Sequence, residues 1–298
     1  MPDFAYYALA SAVGLATLSV ISKSLVRYRV CDSGLITWGI GMMAGLISGL
    51  FLVIRGVAFP SQAVWHLLGT VIAVQLARWL TNRAIQEGDL STVVPLMGVK
   101  IPMAAAMAFV LLGESHGLNV YAAVALACGG VALFGIGRPE RAQGGHDAHP
   151  VVPILFACGG AASFALSDQF TKLGLDRSSV VQFVTWAVTV RGVLCAAMFV
   201  RPKYRKYRIA GKDWALFAAG GALTVAVIAC LATAFRLADG VAVVNVLLGA
   251  RGLFGLLLGA TLGKLLSVPI ERQPARIYVL RSLGMLMLLA AVLMALAG

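Results

Sequence analysis

The chain has 298 residues, 60% hydrophobic and only 12% charged, with 24 Lys and Arg against 12 Asp and Glu for a formal charge of +12. Soluble domains hold roughly 45–50% apolar and 25% charged residues, so a water-solvated fold is excluded and an all-α polytopic membrane protein is expected. The five cysteines form no CxxC pair, the four histidines lack ligand spacing, and no HExxH, P-loop, GxGxxG or Ser/His/Asp set occurs. No metal site, no cofactor and no catalytic residue is therefore expected, and the chain does not read as an enzyme.

A spanning helix needs about 20 mostly apolar residues. Segments 4–26, 33–54, 62–86, 90–112, 117–137, 151–173, 178–200, 213–237, 240–262 and 275–297 satisfy this, predicting ten transmembrane helices. Met1-Pro2-Asp3 supplies no basic n-region, so the first segment reads as a retained helix rather than a cleaved signal. Residues 138–150 are polar and rich in Gly and Pro, which makes them a linker between a first unit, 1–137, and a second, 151–298. Five helices on each side is an odd number, so the second unit enters the membrane in the opposite sense and the two form inverted repeats. Such repeats place a substrate site near the bilayer midplane.

The repeat is visible in the residues themselves. Gly88 to Lys100 aligns without a gap on Asp239 to Arg251, and Leu18-Ser19 through Ser22-Lys23 matches Leu166-Ser167 through Thr171-Lys172 with one inserted residue. Loop cations concentrate after the odd-numbered helices, led by the run from Arg201 to Arg208. The positive-inside rule then sets the odd connectors in the cytoplasm and both termini outside. A short basic loop of this kind fixes topology, so no nucleic-acid partner is expected.

Lys100 and Arg251 are the residues of greatest functional interest. A cation at mid-bilayer costs roughly 2.5–3.5 kcal/mol, so by default it marks a substrate path. Two at repeat-related positions predict a symmetric anion site. Gln75, Arg78 and Asn82 follow at helical spacing on one face of the third helix, with Trp79 and Arg83 beside them, and predict a polar cavity wall or a hydrogen-bonded helix contact. Gln182, Thr185 and Thr189 share a face of the seventh helix, whereas Arg191 receives no role. Asp168 carries two readings: an ion pair with Lys172, four residues on, or a proton-coupling carboxylate. Pro95 and Pro102 are expected to bend the fourth helix at Lys100. Gly41, Gly45 and Gly49 are expected to make a smooth face for close packing.

Pro102, the run Leu111-Leu112-Gly113-Glu114 and then Gly129-Gly130-Val131-Ala132-Leu133, together with Lys23 and Lys172 near the ends of repeat-related helices, resemble the drug/metabolite transporter (DMT) superfamily, EamA type. The second half departs from the pattern, with Gly263-Lys264 where Gly-Glu is usual. The resemblance implies a secondary transporter of the cell (inner) membrane working by alternating access. The positive residues favour a small organic anion, such as a carboxylate or phosphate-bearing metabolite. Its binding set is expected to be Lys100, Arg251, Arg78, Gln75, Asn82, Trp79 and Trp186, with Lys23 and Lys172 nearer the mouths. Membrane lipids are the other partner, while proton or counter-substrate coupling and homodimer formation stay open. Export of amino acids or drugs, and flipping of a lipid-linked phosphate, are the alternatives.

Overall fold

In hydrocarbon the backbone has only itself to hydrogen-bond, and long apolar runs respond by becoming helix. The computed structural model describes residues 2–28, 33–87, 97–115, 117–136, 151–200, 211–251, 254, 258 and 275–297, and among them there is helix and no strand. In chain order the helices are α1 (Asp3–Tyr28), α2 (Ser33–Arg55), α3 (Val64–Glu87), α4 (Lys100–Met107), α5 (Leu118–Ile136), α6 (Val151–Leu175), α7 (Val180–Phe199), α8 (Gly211–Leu237), α9 (Val241–Gly249) and α10 (Ala275–Ala297). Among the described residues six of these, α1, α2, α3, α6, α7 and α8, are long and apolar enough to cross a membrane. The bundle's outer surface is also apolar: Trp65, Val110 and Leu118 are 78%, 76% and 83% exposed. Surface of that kind is stable against lipid tails and unstable against water. This is a multi-pass helical membrane protein.

The main packing runs between the first half of the chain and the second. Helix α1 lies on α8, α3 on α6, α2 on α7 and α5 on α10, while α4 packs against α6 and α9, and α9 against α1. Small residues make this possible, because association in lipid depends on close van der Waals approach. Ala5, Ala8 and Ala12 are fully buried on one face of α1. The expected smooth face of α2 is borne out: a Cβ on Gly45 would lie 2.3 Å from the Cα of Gly192, and a Cβ on Gly192 would lie 2.3 Å from the Cα of Gly45. Ser48 Oγ donates to Thr185 O at 3.0 Å across the same α2–α7 crossing.

The Leu-Leu-Gly-Glu run acquires a physical meaning here. Helix α4 continues into a π-helical turn, Ala108–Leu112, which ends at Gly113 with φ of 67°, a left-handed conformation that favours glycine. That turn aims Glu114 at the other half of the chain. Its carboxylate accepts from the backbone N–H of Val241 at 3.0 and 3.3 Å, capping α9, whose own Gly240 offers no side-chain cap. Glu114→Ala is expected to cost about 1 kcal/mol in the unfolding midpoint of purified protein, and Glu114→Gln less, since an acceptor oxygen remains. Lys264, the matching position of the second half, lies outside the described residues.

Candidate functional site

The predicted cations sit where the helical path tightens. Met97–Val99 is a 3-10 turn, and Val99, with φ −60° and ψ −15°, leads into Lys100 at the first position of α4. Ala250, with φ −59° and ψ −14°, leads into Arg251, and its N–H bonds back to Leu247 O at 3.1 Å in the same 3-10 manner. Each cation thus follows one tightened turn of nearly identical geometry. The bend was expected to come from the prolines, but Pro102 lies in the first turn of α4, where its missing N–H costs little. Pro95 falls outside the described residues.

The two cations then differ. Lys100 Nζ is 2.8 Å from Asp168 Oδ2, so its charge is already balanced by α6. This corrects the expected pairing of Asp168 with Lys172. Lys172 Nζ instead donates to Phe235 O at 2.8 Å and Ala238 O at 3.0 Å, at the C-terminal end of α8. The exposed carbonyls of a helix end carry partial negative charge and suit an ammonium as well as a carboxylate does. Breaking the Lys100 pair strands a partly buried charge: Asp168→Asn is expected to cost about 2–4 kcal/mol of stability, and Lys100→Gln combined with Asp168→Asn clearly less than that. A double-mutant cycle of unfolding midpoints measures this.

Among the described residues no carboxylate is ion-paired with Arg251. Its side chain presents accessible surface just beyond the end of α9. Its charge acts on Arg78 of α3, and so does that of Arg191 on α7. Arg78 holds its guanidinium 5.6 Å from the ring centroid of Phe164 on α6, a cation–π distance, with its Nε buried and without a hydrogen-bond partner. Arg191 is 8% exposed, and its Nε too has no partner. It reaches toward Gly41 of α2, where an added Cβ would be 3.8 Å from a terminal guanidinium nitrogen. Cys195, one turn along α7, bonds to Arg191 and donates to Gln75 Oε1 at 3.8 Å.

The structure thereby brings Gln75 and Arg78 together with Arg191, a residue without a role in the sequence analysis, and sets Arg251 within electrostatic reach of Arg78. Asn82 continues the same face of α3 and buries an unpartnered Nδ2. Among the described residues none of the three arginines is ion-paired. Phe164 and Asp168 stand one turn apart on α6, so the Lys100 pair lies roughly 6 Å along the helix axis from the Arg78 contact.

Other expected members are placed elsewhere. Trp79 is 46% exposed, stacks edge-on against Phe156 at 6.2 Å and holds Arg83 at 5.9 Å from its ring, facing away from Arg78. Trp186 donates its indole N–H to Val57 O and Ala58 O, both at 3.2 Å, and meets Phe59 edge-on at 4.9 Å, so it fastens the loop after α2. Gln182 closes a capping box with Ser179 at the start of α7 and forms no cavity face. The Lys23 side chain lies outside the described residues, as does the linker 138–150.

Among the solved structures this chain resembles is a crystal structure with a TM-score of 0.75 and 15% sequence identity, over 99% of this chain and 98% of the other. At that identity the likeness shows the fold alone. No protein-family model matches the sequence, and neither does any curated protein.

Proposed function

We propose that this chain is a secondary transporter of the EamA-type drug/metabolite superfamily, carrying a small organic anion across the cell's inner membrane by alternating access. The observation that carries this reading is the arginine group itself. Arg191 and Arg251 each lie within electrostatic reach of Arg78 in a membrane-embedded bundle, and none of the three has an ion pair among the described residues. A single charge there is already costly, and Arg78 is repelled by two more of like sign. An anion entering among them relieves both costs.

The packing supports alternating access between units 1–137 and 151–298. Exchanging the halves carries the α3–α6 contact onto α8–α1 and returns α2–α7, α4–α9 and α5–α10 to themselves. The matched backbone turns before Lys100 and Arg251 obey the same exchange. This is the relation expected of ten helices in two inverted repeats, which rock about a site at their interface. Asp168 enters as the coupling group, because a proton on its carboxylate releases Lys100. Purified protein in liposomes tests the reading: labelled carboxylates and phosphate esters should exchange across the bilayer, and a pH gradient should drive net uptake in the parent but not in Asp168→Asn. Failure of every anion to exchange, while the protein remains folded, overturns it.

A further inference from the structure

On α3 and α7 the arginine group buries three hydrogen-bond donors without a partner, Arg78 Nε, Arg191 Nε and Asn82 Nδ2; of the acceptors without a hydrogen bond on α6, Asp168 Oδ2 is ion-paired with Lys100 and Gln169 Oε1 belongs to a side chain tied through its Nε2 to Ala104 O of α4. The side-chain carbonyl of Gln75, one turn from Arg78, already accepts from Cys195. A ligand that satisfies the site must therefore bring acceptor oxygens, several of them, and no donors of its own at these points. The charge balance narrows this further. With Lys100 neutralised by Asp168, the three arginines leave a formal excess of three positive charges. A carboxylate with one negative charge leaves two cations still repelling each other, whereas a second negative charge on the same ligand removes most of that repulsion.

We propose that the site selects a doubly charged anionic group, a dicarboxylate or phosphate monoester, over a singly charged one, and that Arg191 is the residue that sets this selectivity. The inference rests on the anion-transport reading and deepens it. Arg191 is the most enclosed of the three and is fixed at the α2–α7 crossing, so its charge cannot swing out to water when a monoanion binds. Arg78, stacked on Phe164, and the exposed Arg251 take the first charge. Arg191 takes the second.

The test compares ligands of one skeleton and different charge. Succinate and monomethyl succinate at pH 7.5, with glycerol 3-phosphate and a short-chain phosphatidic acid as phosphate probes, are titrated against purified full-length protein and read as thermal stabilisation, which reports binding to the folded state. Succinate is expected to bind at least tenfold more tightly than its monoester. Arg191→Gln should bring that ratio down to about threefold, while Arg191→Lys keeps most of it because the charge remains. Should Arg191→Gln fail to fold, the parent ratio and Arg191→Lys decide. Glycerol 3-phosphate binding places the doubly charged group on a soluble metabolite, and binding of phosphatidic acid alone places it on a lipid headgroup; both support the inference. Equal affinity for succinate and its monoester overturns it while leaving an anion site in place, as does an unchanged ratio in Arg191→Gln. Stabilisation by none of the probes overturns the anion site as well.

Discussion

Alanine at Gly45 or Gly192 should destabilise the protein by about 1–3 kcal/mol, and leucine at either should prevent folding. At both positions an added Cβ meets the partner's Cα at 2.3 Å, and that obstacle is backbone, so no side-chain rotation relieves it. The helices must separate, losing van der Waals contact along their whole crossing together with the Ser48 bond to Thr185 O. Gly49→Ala is the matched control. A Cβ there would lie 3.5 Å from Thr189 Cγ2, an ordinary contact, and stability should be unchanged within about 0.5 kcal/mol. Urea or heat unfolding of the three variants in detergent measures the difference. Because Arg191 precedes Gly192, a displaced α7 also carries the guanidinium away from Gly41, so anion affinity should fall in Gly192→Ala and hold in Gly49→Ala. Equal stability of Gly45→Ala and Gly49→Ala would show that the close crossing does not hold the bundle together.

The same crossing marks how far the sequence could be read. Hydropathy fixed the long helices closely: 33–54 was expected and Ser33–Arg55 is found, and 275–297 matches Ala275–Ala297. Length and apolarity are local properties, and lipid enforces them. The Gly41, Gly45, Gly49 stripe was also legible, but its partner Gly192 was not, because the contact joins residues far apart in the chain. Asp168 and Lys172 misled for the same reason. They are neighbours on one helix, yet each finds a better partner on another, α4 for the carboxylate and the end of α8 for the ammonium. Trp186 looked available for ligand until loop carbonyls took its N–H. For Arg191 a signal did exist: it is a cation in mid-helix beside Gly192, the lone glycine of α7. A charge next to a close-packing residue cannot reach lipid headgroups and so must face the interior.

Replacing Arg78 or Arg251 by glutamine should weaken anion binding by roughly tenfold to a hundredfold while the protein still inserts and folds. Each guanidinium would give a bound carboxylate or phosphate a charge-assisted hydrogen bond, worth about 1.5–3 kcal/mol, and neither is committed to an internal counter-ion. Folding should be spared, or even improved, because either substitution ends the repulsion between Arg78 and Arg251 in the empty site. Lys100→Gln should show the reverse pattern: its charge is matched by Asp168, so stability falls and affinity changes by less than about threefold. Arg251→Lys should recover only part of the lost affinity, since an ammonium lacks the planar fork that holds two oxygens at once. Arg55→Gln, at the exposed end of α2, serves as the control for general loss of positive charge. Anion affinity and unfolding midpoint, measured on the same preparations, separate the two classes of cation. If Arg78→Gln and Arg251→Gln bind as tightly as Arg55→Gln, or if Lys100→Gln loses as much affinity as they do, then the division between free and paired cations drawn from the geometry does not govern binding.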